Sequence, residues 1–234
     1  MQEPTGKINV VSTTTETETT ALAADAADPV LQVGARETVV DRSDRSWRRQ
    51  LAGRDFTGLD IANGDGVDVV ADLCWPFERL DAALGGRRFG LILCQHVLEH
   101  VKRPFAAADN LAGLLAPGGT LYVATPWVQA FHGYPDDYWR FSFRGLMELF
   151  PGLQPVDMYY SATGTGLDAA YKITVDGAID LERTPFEIES RLFELSFPPD
   201  RNLEILRNQA EQPKLPLARH YLPAIFVNLV FKAP

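Results

Sequence analysis

Phe89-Gly90-Leu91-Ile92-Leu93-Cys94-Gln95-His96-Val97-Leu98-Glu99-His100-Val101 opens the stretch, residues 89–124, whose reading decides the fold. Its first six residues form a continuous apolar run, as expected of a strand buried on both faces. His96 to Val101 and Pro104 to Leu115 then carry helical spacing, Pro117-Gly118-Gly119 marks a turn, and Thr120 to Ala124 returns as strand. Strand, helix and strand in that order make a parallel crossover unit.

The same alternation extends outward. Upstream, strands are expected at Val30 to Gly34, Phe56 to Ile61 and Val67 to Ala71, with short helices at Asp44 to Leu51 and Trp75 to Leu84. Downstream, Val156 to Tyr160 and the nearly unbroken apolar run Ala224 to Phe231 read as strands. More than 50 residues lie between those two, punctuated by proline, with an apolar face at Phe186, Ile188, Leu192, Phe193 and Leu195. Residues 164–219 are therefore expected to form a helical insertion covering the sheet as a lid. The fold class is α/β, with helices on both faces of a mostly parallel sheet, over residues 29–234. Residues 1–28 hold seven Thr, and five acids against one Lys, without apolar periodicity. They are expected to remain a disordered leader; the alternative is a helix that docks over the pocket.

Composition narrows the function. With Asp+Glu 31 against Lys+Arg 22, the net charge is −9. That balance argues against nucleic acid as partner, because each phosphate contact needs a cation. No apolar run approaches a membrane span, and no basic start precedes an apolar segment as in a secretory signal. Cys74 and Cys94 form no CxxC pattern. Unpaired thiols fit a reducing, cytoplasmic setting.

Ligands of open parallel sheets bind beyond the carboxyl ends of the strands. The residues placed there are Gly34-Ala35-Arg36, Asp60-Ile61, Asp72-Leu73 and Gln95-His96. Glycine after the first strand admits a ligand close to the backbone. An acid after the second can accept both hydroxyls of a ribose, and one after the third an adenine amino group. After the fifth strand comes His132-Gly133-Tyr134-Pro135-Asp136-Asp137-Tyr138-Trp139-Arg140, read either as a packed aromatic loop or as a pocket wall with Tyr134, Asp137 and Tyr138 as substrate anchors. Arg140 can pair with Asp136 or Asp137.

Val33-Gly34, Gly58-Leu59-Asp60-Ile61, Val67 to Leu73, Val97-Leu98-Glu99-His100-Val101 and Leu115-Ala116-Pro117-Gly118-Gly119-Thr120 together resemble the class I S-adenosylmethionine-dependent methyltransferases over residues 30 to 150. The resemblance implies a Rossmann-like, seven-stranded sheet of order 3-2-1-4-5-7-6, its last strand antiparallel. It implies S-adenosylmethionine as cofactor, with Gly34 against the methionine part, Asp60 holding the ribose, Asp72 and Leu73 framing the adenine, and Ala35, Arg36, Ile61 and Gln95 completing the cofactor-binding set. The first motif departs from the family: it has a single glycine, and Gln32 stands where an acid is usual. Arg36 reaching the cofactor carboxylate is one compensation.

His96, Glu99 and His100 are spaced i, i+3, i+4, one face of a helix. His132 is expected to close on that face from the next strand end. The four side chains make a candidate site for a divalent metal, a second candidate cofactor. The small-RNA 2′-O-methyltransferases and ubiquinone-pathway O-methyltransferases have a similar ExxEH helix that binds Mg. Here His96 replaces the first Glu, which favours a borderline metal. Without metal, His96 or His132 is the candidate catalytic base. The expected activity is methyl transfer to an oxygen or nitrogen of a small metabolite, secondary metabolism included. The alternatives are a non-catalytic scaffold and a metal-dependent O-methyltransferase. The expected partner is a small-molecule substrate, with no nucleic acid and no membrane, and a homodimer is a candidate assembly.

Overall fold

The computed structural model describes residues 15–37, 46–129, 131–133, 135–164, 167–173 and 224–234. Its strands are β1 (Val30–Val33), β2 (Phe56–Asp60), β3 (Val69–Val70), β4 (Phe89–Gln95), β5 (Leu115–Val128), β6 (Gln154–Gly164), β7 (Leu167–Lys172) and β8 (Ile225–Lys232). Its helices are α1 (Thr15–Ala24), α2 (Trp47–Gln50), α3 (Phe77–Ala83), α4 (Pro104–Leu114) and α5 (Phe143–Leu149).

The strands form one sheet of order β3-β2-β1-β4-β5-β8-β6-β7. β1 runs parallel to β2 and β4, and β4 parallel to β5. β8 inserts antiparallel between β5 and β6. This is the expected seven-strand order, with β8 as the seventh strand. One strand is added: β7 pairs antiparallel with β6 at the sheet edge. Residues 167–172, expected in a helical insertion, are therefore extended. They are held extended by the antiparallel ladder to β6, which runs from Tyr159 opposite Lys172 to Gly164 opposite Leu167. The remainder of the expected lid, 174–219, lies outside the described residues.

The continuous apolar runs are explained by two cores. Ile92 and Cys94 of β4, with Leu121 and Val123 of β5, face Leu80, Leu111 and Leu146 of the helices α3, α4 and α5. Leu91 and Leu93, with Tyr122, face Trp47 and Leu51 on the other side. Alternate residues thus enter different cores, which is why these runs are apolar on both faces. Among the few buried polar groups, Asn228 of β8 accepts from the Tyr122 hydroxyl at 2.8 Å and donates to Ser161 Oγ at 2.8 Å.

α1 corrects the expectation of a wholly disordered leader. Leu22 and Ala23 pack on the second core, and the Glu18 carboxylate pairs with Lys172, which also pairs with Asp157. Lys172 is buried, and a buried cation needs such partners. The leader's composition does not reveal a lysine 154 positions away. Residues 1–14 are outside the described residues.

The register sets the site. Val33 lies opposite both Leu59 and Cys94, so Gly34, Asp60 and Gln95 emerge at one end of the sheet. His96 to Val101, expected as helix, is instead a short 3-10 turn at Leu98–His100. His96 stays tied to β5, its backbone N–H donating to Ala124 O at 2.8 Å, and has φ +56°. That left-handed backbone is sparsely populated by residues other than glycine. It lets the chain leave the strand and turn at once.

Candidate active site

A cleft of about 720 Å³ opens at the carboxyl ends of β1, β2 and β4. All eight expected cofactor residues line it: Gly34, Ala35, Arg36, Asp60, Ile61, Asp72, Leu73 and Gln95. Gly34 has φ +71°, and a Cβ there would lie 2.6 Å from Val97 Cγ2. Only glycine fits both restrictions. The Asp60 carboxylate accepts from the backbone N–H groups of Arg36 (3.2 Å) and Ala62 (3.0 Å), which hold it in one orientation. Asp72 accepts from the Cys74 N–H at 2.8 Å. Asn110, buried in α4, donates to the carbonyls of Leu73 and Trp75 and secures the loop after β3.

Two cleft residues escaped sequence reasoning. Trp47 of α2 donates its indole N–H to Gln95 Oε1 at 2.8 Å. An indole only donates, so Oε1 is the end of Gln95 turned to Trp47, which leaves the NH2 available to a ligand. Arg48 binds Asp68 Oδ2 at 2.5 Å and Gly66 O at 3.0 Å, fastening α2 to the loop between β2 and β3. The helical spacing of Trp47 and Leu51 marks only a core face, so it carried no signal for either role.

Beyond the cofactor end, the histidines gather round Glu99. This side chain is fully buried, and neither carboxylate oxygen has a hydrogen-bond donor among the described residues. Three imidazole nitrogens approach its Oε1: His96 Nδ1 at 3.7 Å, His100 Nε2 at 3.8 Å and His132 Nε2 at 3.9 Å. Ligand atoms of Glu99, His100 and His132 lie within 4.8 Å of one another. The expected four-residue set is thereby corrected to three. His96 stays beside Glu99, its Nδ1 the nearest of the three nitrogens, but it is not part of the group whose ligand atoms all lie that close to one another. It lines the cleft and packs edge-on against Phe226, with ring centroids 4.6 Å apart.

The loop after β5 completes the arrangement. Tyr138 and Trp139 donate their backbone N–H groups to Glu99 O at 2.8 and 3.2 Å, and Trp139 Nε1 donates to Val101 O at 2.9 Å. Asp137, expected as a substrate anchor, is turned inward. Its side chain is only 2% exposed and is gripped by Arg140 through two bonds of 2.5 and 2.7 Å. That guanidinium holds the Asp137 carboxyl down at about 2, against the opposing effect of burial. Burial and the Arg140 pair are what disqualify Asp137 as an anchor. His132 likewise does not reach the cleft. Its Nδ1 faces Asp137 at 3.4 Å and its Nε2 faces Glu99, which removes it as a base for a substrate. Tyr138 is 44% exposed at the cleft wall. Tyr134 lies outside the described residues.

Residues 22–154, more than half of the chain, match the sequence model of a family described as a methyltransferase domain. The chain belongs to this methyltransferase family. It is a class I S-adenosylmethionine-dependent methyltransferase, in agreement with the strand order and the glycine and acids of the cleft. A curated relative, the ubiquinone biosynthesis O-methyltransferase of Parvibaculum lavamentivorans, is 31% identical over 99 residues. That alignment covers 42% of this methyltransferase and only about a third (35%) of the relative's length. Among solved structures, the N-methyltransferase NodS of Bradyrhizobium japonicum, in complex with S-adenosylhomocysteine, aligns at TM-score 0.48 and 12% identity, covering 92% of this chain and 82% of that one. A SAM-dependent methyltransferase of Archaeoglobus fulgidus aligns at 0.46 and 13%, covering 87% and 85%.

In the methyltransferase, then, a ligand cleft and a cluster of anionic and imidazole groups share one wall, since His96 and His100 line the cleft while His100 also faces Glu99. No described helix is long and apolar enough to cross a membrane.

Proposed function

We propose that this methyltransferase transfers the cofactor's methyl group to an oxygen or nitrogen of a small metabolite, with Glu99, His100 and His132 holding a divalent cation beside the acceptor. Bound Asp60 would take the ribose hydroxyls, Asp72 and Leu73 the adenine, and Gly34, Arg36 and Gln95 the amino-acid end of the cofactor. Transfer is an in-line displacement at a sulfonium, so alignment of acceptor and methyl carbon is the larger part of the catalysis. His96 is the group at the cleft able to take the acceptor's proton as its oxygen or nitrogen attacks. The net charge of −9 argues against a nucleic-acid acceptor. That the curated relative is an O-methyltransferase supports oxygen as the methylated atom.

One observation carries the cation: a fully buried carboxylate with no hydrogen-bond donor among the described residues, approached by the Nε2 atoms of His100 and His132 and by His96 Nδ1. Burying an unpartnered charge is costly, and a cation removes that cost. Two imidazoles with one carboxylate suit Zn, Mn or Fe better than Mg, which prefers oxygen ligands. Such an ion supplies orientation of an acceptor hydroxyl and a lowering of its pKa.

The test has two arms. Titration calorimetry with S-adenosylhomocysteine should show binding in the micromolar range. Elemental analysis of protein purified without a His tag, followed by turnover with and without chelator, tests the cation. Chelator-insensitive turnover by metal-free protein would leave methyl transfer standing and remove the cation from it.

A further inference from the structure

The turn that follows β3 is held by α4 through three successive carbonyls. Asp72 to Trp75 first closes on itself: the Cys74 N–H donates to Asp72 Oδ1 at 2.8 Å, and the Trp75 N–H donates to Asp72 O at 2.9 Å. Asn110 Nδ2 then donates to Leu73 O at 2.7 Å and to Trp75 O at 2.8 Å. Arg103, the residue just before α4, donates to Cys74 O at 2.8 Å, and the Cys74 thiol returns a bond to Arg103 O at 3.6 Å. Asn110 is buried and shares the inward side of α4 with Ala107, Leu111 and Leu114. A primary amide has two N–H bonds to give, and this turn takes both. One turn further along α4, a Cβ at Gly113 would lie 2.7 Å from Phe77 Cε2, so the glycine lets α3 close against the same helix. Asp72 lines the cleft with Oδ1 engaged in the turn, while Oδ2 has no hydrogen-bond partner among the described residues.

We propose that Asn110, with Arg103 beside it, is a positioning residue that holds the Asp72 carboxylate at the cleft for an amino group, and so selects a 6-amino purine over a 6-oxo purine in the cofactor. The inference rests on the reading above in which Asp72 and Leu73 take the adenine, and it adds what fixes that carboxylate. A carboxylate only accepts. It bonds the amino group of adenine, and it meets the ring carbonyl of hypoxanthine as one acceptor meets another. The discrimination holds only while the turn is fixed, because a turn free to rotate would bring a backbone N–H round and accept either base. Asn110 and Arg103 remove that freedom. Rotating the Leu73 or Trp75 carbonyl away from α4 breaks a bond to a buried amide and leaves that amide without an acceptor, which is costly. Asn110 does not line the cleft, so its effect on the cofactor passes through the turn and through Asp72.

The test is titration calorimetry on the full chain with two ligands, S-adenosylhomocysteine and its deaminated analogue S-inosylhomocysteine. The readout is the ratio of the two dissociation constants, which a general loss of stability does not move. Wild type should prefer the adenine ligand ~10–100-fold, the worth of a hydrogen bond to a charged group. Asn110→Leu keeps the bulk and removes both donors. It should narrow the ratio to about threefold or less, with the loss falling on S-adenosylhomocysteine. In an Asp72→Ala background the same substitution should leave the ratio where Asp72→Ala puts it, as for two residues acting through one contact. Arg103 is exposed, so Arg103→Ala serves if the leucine variant fails to fold. It should narrow the ratio severalfold, and Arg103→Lys, which keeps a donor, should restore most of it. A wild-type ratio within about twofold of unity would show that Asp72 does not meet the amino group, and would overturn the adenine placement together with the positioning. A large wild-type ratio that persists in Asn110→Leu, while both affinities fall alike, would leave the adenine placement standing and overturn the positioning alone.

Discussion

Glu99→Gln separates a carboxylate kept for a ligand from one kept for the fold. The substitution preserves size and planarity and removes the charge. Glu99 is fully buried with both oxygens lacking donors among the described residues, and His100 and His132 turn Nε2 towards it at 3.8 and 3.9 Å. An unsatisfied buried polar group costs about 1–3 kcal/mol, more when charged. A glutamine removes the charge and brings an NH2 that can donate to either imidazole. In chelator-treated protein the variant should therefore be more stable than wild type by about 1–3 kcal/mol. For a chain of this size each kcal/mol moves the melting temperature by about 2–4 °C, so a rise of roughly 2–12 °C is expected by scanning calorimetry. Adding zinc or manganese should reverse the ranking. Wild type gains about 2.7 kcal/mol at a hundredfold excess over Kd, and the variant, short of its only anionic ligand, gains little. Methyl transfer should fall in step with the lost cation. If chelated Glu99→Gln melts below wild type, the reasoning fails. Glu99 would then be the anion of an ion pair with a protonated histidine, and the cluster a structural element.

Asp60→Ala should weaken S-adenosylhomocysteine binding roughly tenfold to a hundredfold, the loss of two charge-assisted bonds of ~1.5–3 kcal/mol each in part compensated by water; a Kd within about twofold of wild type would show that the ribose sits elsewhere. Gly34→Ala forces a side chain into φ +71° and to within 2.6 Å of Val97 Cγ2, so both the melting temperature and cofactor affinity should drop, read by calorimetry in the two modes. Trp47→Phe keeps the ring that meets Tyr122 edge-on at 5.9 Å but deletes the donor to Gln95. Its effect should be about 1 kcal/mol, or about fivefold in cofactor affinity, with little change in melting temperature.

The parts of this protein legible in its sequence are those decided by local pattern. The run Phe89 to Cys94 reads as a buried strand because both its faces meet apolar cores, and the chain order of Gly34, Asp60, Asp72 and Gln95 survives into space because parallel strands with right-handed crossovers put every strand end on one side. What sequence could not supply depends on single long-range partners. The edge strand β7 exists against β6, and α1 docks where Lys172 meets Glu18. The histidine cluster shows the distinction most sharply. Helical spacing brings His96, Glu99 and His100 together for the wrong reason, since the segment is a 3-10 turn entered through a left-handed His96. The cluster forms instead because a second loop, carrying His132 and Asp137, is hydrogen-bonded to the Glu99 carbonyl from above. Periodicity could name the chemistry-bearing residues, as it did for three of the four. It could not say which of them face one another, because that follows from backbone bonds between segments some 40 residues apart. His96, whose backbone is tied to β5 rather than to that loop, lines the cleft together with His100 and still brings its Nδ1 to 3.7 Å from Glu99 Oε1.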